Sequence, residues 1–153
     1  MSWSFAKSIF RSESGGALAE LAVGLPILLL LAVGVADYAR IYYTGITVAN
    51  AARAGAVYGA DPATTNDQII AATQADANPI TLDSITVGRY CVCPGSGAGT
   101  GVVDCSTPTC PLSYGVPQAY DTVRVRKDFT ALIRYVGLPA TLPIIRTVVM
   151  RTN

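Results

Sequence analysis

From Gly15 to Arg40 the chain reads GGALAELAVGLPILLLLAVGVADYAR, and between Ala17 and Ala36 the single charged residue is Glu20. At about 1.5 Å per residue, the stretch Ala17–Ala36 predicts a helix of roughly 30 Å, the thickness of a bilayer's hydrocarbon core. Pro26 removes one backbone hydrogen bond, which membrane helices tolerate better than soluble ones. A cleaved secretory signal is the rival reading. Its apolar stretch is about 7–15 residues long and ends at a small-residue cleavage site. Here the run is longer, carries Glu20 and continues in helical pattern. Lys7 and Arg11 precede it, with Glu13 a partial offset, so the positive-inside rule predicts a cytoplasmic N-terminus. Tyr38, Tyr42 and Tyr43 follow it, where aromatic rings favour the membrane–water interface.

Helical spacing persists beyond the apolar run. Gly45, Ala49, Ala52, Ala56 and Gly59 form one stripe of small residues, with Ile41 and Val48 beside it. Such a stripe lets another element approach closely. One helix over about residues 17–58 is expected, half in lipid and half outside, its small stripe packed on a sheet. GADPATTND breaks it, and a short second helix is expected at Asp67–Asp76, with Ile69 and Ile70 as its apolar face. SITVGRYCV, residues 84–92, has the β-branched alternation of a strand. YDTVRVRKDF sets Val123 and Val125 against Arg124 and Arg126, a second strand. TALIRYVGLP connects to LPIIRTVVMR, a third. The fold class is α+β: a long N-terminal helix, a short second helix and a small three-stranded antiparallel sheet.

Composition sharpens this picture. The chain is 51% hydrophobic and 14% charged, with a formal net charge of +1. No basic or acidic block implies nucleic acid or an acidic polymer as partner. The absence of histidine removes the commonest general base and metal ligand. No nucleophile elbow, phosphate-binding glycine pattern or zinc helix is present. Asp61, Asp67, Asp76 and Asp83 are scattered and do not suggest a converging calcium site. The sequence thus predicts no enzyme, no cofactor, no metal and no small-molecule substrate.

All four cysteines fall in CVCPGSGAGTGVVDCSTPTC. In an oxidising compartment they read as two disulfides pinning a loop. Zinc is the alternative, but C-x-C and C-x4-C do not match the usual C-x2-C knuckles. Cys91 and Cys93 share a strand face and are poorly placed to bond each other. Nested pairing, Cys91–Cys110 with Cys93–Cys105, closes a hairpin-like loop and is expected over the crossed alternative.

Residues 12–60 resemble the N-terminal region of the TadE-like proteins, pilin-like components of the tight-adherence (Flp, type IVb) pilus machinery of bacteria. The resemblance rests on Gly16-Ala-Leu-Ala-Glu20, on Leu25-Pro26-Ile27 and on Asp37-Tyr38-Ala39-Arg40. It rests also on Asn50 to Ala56, with Arg53 and Gly55 in place. Leu21 departs from it, standing where the family usually has an aromatic. The resemblance implies cutting after Gly15 by a prepilin peptidase, so that Gly16 becomes the N-terminus and Glu20 the fifth residue. It implies a division into a cytoplasmic leader (1–15), a transmembrane helix (16–36), its extracytoplasmic continuation (37–60) and a disulfide-stabilised head (61–153). Other pilin-like subunits, the peptidase and an assembly platform are the implied partners. The implied setting is the inner membrane, with the head in the periplasm or carried into a pilus. The implied role is a minor subunit, since the major subunits of this pilus class are shorter chains. The rivals are an uncleaved single-pass scaffold and a small secreted disulfide-bonded binding module.

Overall fold

The computed structural model describes residues 13–95, 102–106, 110, 115–135 and 137–152. Lys7 and Arg11, on which the predicted orientation rests, lie outside them. The chain divides into two units that part between Arg40 and Ile41.

Helix α1 runs Glu13–Gly59, with Pro26 inside it. In the first unit its apolar side chains are exposed on every side. Leu18, Leu21, Ile27, Leu28 and Val35 keep 57–68% of their surface open. A helix that is apolar all round does not belong in water. The helix is long and apolar enough to cross a membrane by length and composition.

The second unit is a helix-and-sheet head. Besides the remainder of α1 it contains α2 (Asn66–Asp76), β1 (Ser84–Val92), β2 (Val102–Val103), β3 (Gln118–Thr130) and β4 (Thr141–Arg151). The sheet is antiparallel with order β2-β1-β3-β4. Its body is the three expected strands, and the two-residue β2 adds to the outer side of β1. Helix α2 starts one residue earlier than its hydrophobic pattern indicated because Thr65 and Gln68 form a capping box. The Gln68 N–H donates to Thr65 Oγ1, and the Thr65 N–H to Gln68 Oε1 at 2.9 Å. The Gln74 amide then ties down the path to β1. It donates to the Ile80 carbonyl at 3.1 Å and accepts from the Leu82 N–H at 3.2 Å.

The core joins both helices to one face of the sheet. Val48, Ala51, Ala52 and Ala56 of α1, Ile69 of α2, Ala77, and Val123 and Val125 of β3 are fully buried together. Alternation along β3 sends Arg124 and Arg126 to the opposite, exposed face. The buried face of α1 is rotated from the expected stripe. Ala52, Ala56 and Gly59 are in it, but Val48, Ala51 and Gly55 replace Gly45 and Ala49. A side chain built at Gly45 would meet nothing within 4 Å.

Candidate functional site

The residues singled out in the first unit all lie on α1. Gly15, Gly16 and Glu20 are exposed, and Leu21, Leu25 and Leu28 around them are open as well. A carboxylate on a lipid-length apolar helix is costly unless a counter-charge or headgroup water meets it. Asp37 is nearly buried and accepts from Arg40 Nη1 at 3.1 Å, one turn along the helix. That i,i+3 pairing explains why an aspartate and an arginine stand together just past the apolar run.

In the second unit, the segment Asn50–Ala56 divides by helical phase. Ala51, Ala52, Gly55 and Ala56 point into the head; Asn50 and Arg53 point outward. Gly55 has a specific role. A β-carbon there would collide with Thr73 Oγ1 and lie 3.4 Å from Val123 Cγ1. Thr73 cannot easily yield, because its hydroxyl donates to the Ile69 carbonyl at 2.7 Å. Gly55 thus sets how closely α1 and α2 approach. Gly59 repeats the device one turn on, against Ile69 Cδ1 at 2.9 Å and Asp121 Oδ2 at 3.3 Å. Outward, Asn50 and Arg53 line a groove with Tyr43, Tyr58, Asp61 and Asp76.

The cysteines form two disulfides, but in the crossed arrangement: Cys91–Cys105 and Cys93–Cys110. The nested expectation fails on strand register. Cys91 faces Val103 across the β1–β2 ladder, and the return strand runs antiparallel. By Cys105, two residues on, the chain has passed Cys91 and moved away from Cys93. Cys93 is left for Cys110. Cys91 and Cys93 are both buried, as residues on one strand face should be. With every sulfur bonded, no thiolate is free to hold zinc.

The sequence reading passed over one buried ion pair. Asp121 is 1% exposed and accepts two hydrogen bonds from Arg89, from Nε at 2.7 Å and Nη2 at 2.8 Å. That bidentate contact raises the Arg89 guanidinium above its usual value, while burial works against it. The signal was available: Arg89 shares strand parity with Ile85, Val87 and Cys91, and Asp121 with Val123 and Val125. At the far end of the same ladder, the Asp128 N–H donates to Asp83 at 2.6 Å, and Lys127 Nζ lies 3.3 Å away. The Asp128 N–H chiefly, with Lys127 adding to it, holds the Asp83 carboxyl below the ordinary carboxylate range. Among the described residues, no group of three or more His, Cys, Asp or Glu stands together as a metal site would require.

These parts define an architecture: a long N-terminal apolar helix followed by an α+β head stapled by two disulfides. More particularly, the family model described as TadE-like protein matches residues 15–57, so the resemblance read from the sequence is shown over that segment. No curated protein and no solved structure matches the chain.

Proposed function

We propose that the protein is a minor pilin-like subunit that supports assembly of a tight-adherence pilus after prepilin-peptidase cleavage following Gly15. The observation that carries this reading is Glu20, an exposed carboxylate near the start of an otherwise apolar helix, inside the segment that matches the TadE-like family. Cleavage creates an α-amine at Gly16, with a pKa of about 7.7–8.0 and so mostly cationic at neutral pH. Gly16 and Glu20 are i and i+4 on a helix and share a face. An ammonium from the same or an adjacent subunit is then the natural partner for a carboxylate at the edge of a low-dielectric core. Gly15 and Gly16 help the peptidase: each costs the first turn about 1 kcal/mol of helix stability relative to alanine, so the scissile bond is easily unwound. The N-terminus lies in the cytoplasm and the head in the periplasm, and the protein is a structural component without catalysis of its own.

Two measurements test this. N-terminal sequencing of the mature protein should begin at Gly16; Met1 would favour an uncleaved scaffold, and a residue beyond the apolar run a secreted module. Glu20→Gln keeps the shape and removes the charge, so it should leave insertion intact and pilus formation deficient. Pili at the wild-type level would mean that the charge has no role in assembly.

A further inference from the structure

The head is electrically two-sided. Its helical part, residues 41–83, carries Arg53 against Asp61, Asp67, Asp76 and Asp83, a net charge of −3. The remainder, residues 84–152, carries seven arginines and lysines against three aspartates, a net charge of +4. The groove and the outer sheet face also differ in net sign. The groove on the outward side of α1 is lined by Asp61 and Asp76, with Arg53 offsetting one of them, around Tyr43, Ile46, Val57 and Tyr58, and its lining stays acidic by one charge. The face of the sheet turned away from the helices carries Arg124 on β3 and, in register with Tyr120 on that same face, Arg151 on β4. Internal pairing takes up Arg89 with Asp121, Arg126 with Asp128, and Lys127 with Asp83. Asp76, Arg124 and Arg151 enter no ion pair among the described residues.

Both surfaces carry open apolar area beside their charges. Ile46 is 45% exposed and Val57 52% in the groove, and Val149 is 46% exposed in the row between Arg124 and Arg151. A net-acidic groove with exposed Ile46 and Val57 and a basic sheet face with exposed Val149 therefore lie on opposite sides of one head.

We infer that the head binds a second copy of this chain head to tail, the Asp61/Asp76 groove of one receiving the Arg124/Arg151 sheet face of the next. The two patches differ, so the contact is heterologous. Each copy keeps one groove and one sheet face free, and association is open-ended unless its rotation closes a ring. The inference goes beyond the assembly role proposed above and does not rest on it, because the same contact serves a scaffold as well as a filament.

The test uses the full chain in detergent micelles, with self-association followed by sedimentation. Salt shortens the Debye length from about 10 Å at 0.1 M to about 3 Å at 1 M, so association should weaken by about tenfold over that range. D61N/D76K makes the groove positive. The asparagine retains the side-chain oxygen that accepts the Ala63 N–H, and a lysine suits the last turn of α2. R124E/R151E makes the sheet face negative. Each variant alone should lose self-association by about tenfold or more, through like charges brought together. An equimolar mixture should recover it to within about threefold of wild type, and recovery itself proves that both variants fold. Association that ignores salt, a variant that associates like wild type, or a mixture that does not recover would each overturn the inference. Binding of the groove to a different pilus component while the chain stays monomeric would overturn it too, by assigning the groove to another partner.

Discussion

Gly55→Ala isolates the closest contact in the head. In an exposed helix interior this change stabilises by about 1 kcal/mol, since glycine loses more backbone freedom on folding. At Gly55 the new methyl enters the space held by Thr73 Oγ1. To clear it, Thr73 must rotate and give up its 2.7 Å bond to the Ile69 carbonyl, or α1 and α2 must move apart. Overpacking of this kind costs about 1–3 kcal/mol. The balance is a net loss of about 0–2 kcal/mol. Thr73→Ala removes the obstructing hydroxyl and leaves the β-carbon of residue 73 at 3.3 Å, a tight contact that a shift of a few tenths of an ångström relieves. The double variant should therefore be more stable than the sum of the two single changes, with a coupling of about 1–2 kcal/mol. Gly45→Ala is the control: it meets nothing within 4 Å and should be neutral or stabilising. The assay is denaturant unfolding of the full chain in micelles, followed by near-ultraviolet circular dichroism. The Tyr90–Tyr120 stack, with centroids 5.6 Å apart, supplies a signal from the head. If Gly55→Ala is as stable as wild type and shows no coupling to Thr73→Ala, the reasoning about helix approach is wrong.

Other outcomes follow from the same geometry. The variant C91A/C105A should retain a fully oxidised Cys93–Cys110 bridge by thiol titration, at a cost of about 2–4 kcal/mol; C91A/C110A should show free thiols, and the reverse pattern would restore nested pairing. Arg89→Met strands the Asp121 carboxylate and should cost about 3 kcal/mol in the same unfolding assay, with part of it recovered when Asp121→Leu is added. The Asp83 carboxyl is lowered in the folded state, so its stabilisation is present above the ordinary aspartate value, about 3.9, and is lost as pH falls through the lower folded value. Asp83→Asn should accordingly be less stable than wild type at neutral pH, with the gap closing in acid; a gap that persists at pH 2 would assign the loss to packing.

Much of this fold was legible because its long elements repeat their period many times. The lipid-length run, the Val/Arg alternation of β3 and the β-branched ends of β1 and β4 each declare a helix or strand without help from tertiary contacts. What was missed depends on few residues or on register. The rotation of α1 is degenerate in sequence: alanine or glycine occupies positions 45, 49, 51, 52, 54, 55, 56, 59 and 60, so several stripes compete. The partner decides among them, and Thr73 is that partner. The crossed disulfides depend on β2, which at two residues is too short to show alternation. Of the singled-out residues, Gly55 was legible as a small position but not as the one that touches Thr73. Arg53 and Asn50 gave no hint that a groove would form beside them, because Asp76 and Asn78 come from the end of α2.

The crossed bridges also make the cysteine segment a natural place for an insertion. Both bonds span every position between Cys93 and Cys105, so the sheet is anchored on each side of anything placed there. Doubling the length of such a loop costs only about 0.6 kcal/mol in closure entropy. An epitope of ten or so residues inserted at the exposed Gly95 should therefore leave the head folded and the label accessible. A protease site placed there turns the same feature into a reporter. The cut chain runs as one piece on a non-reducing gel and as two once the disulfides are reduced, so the oxidation state of the head is read directly from cells.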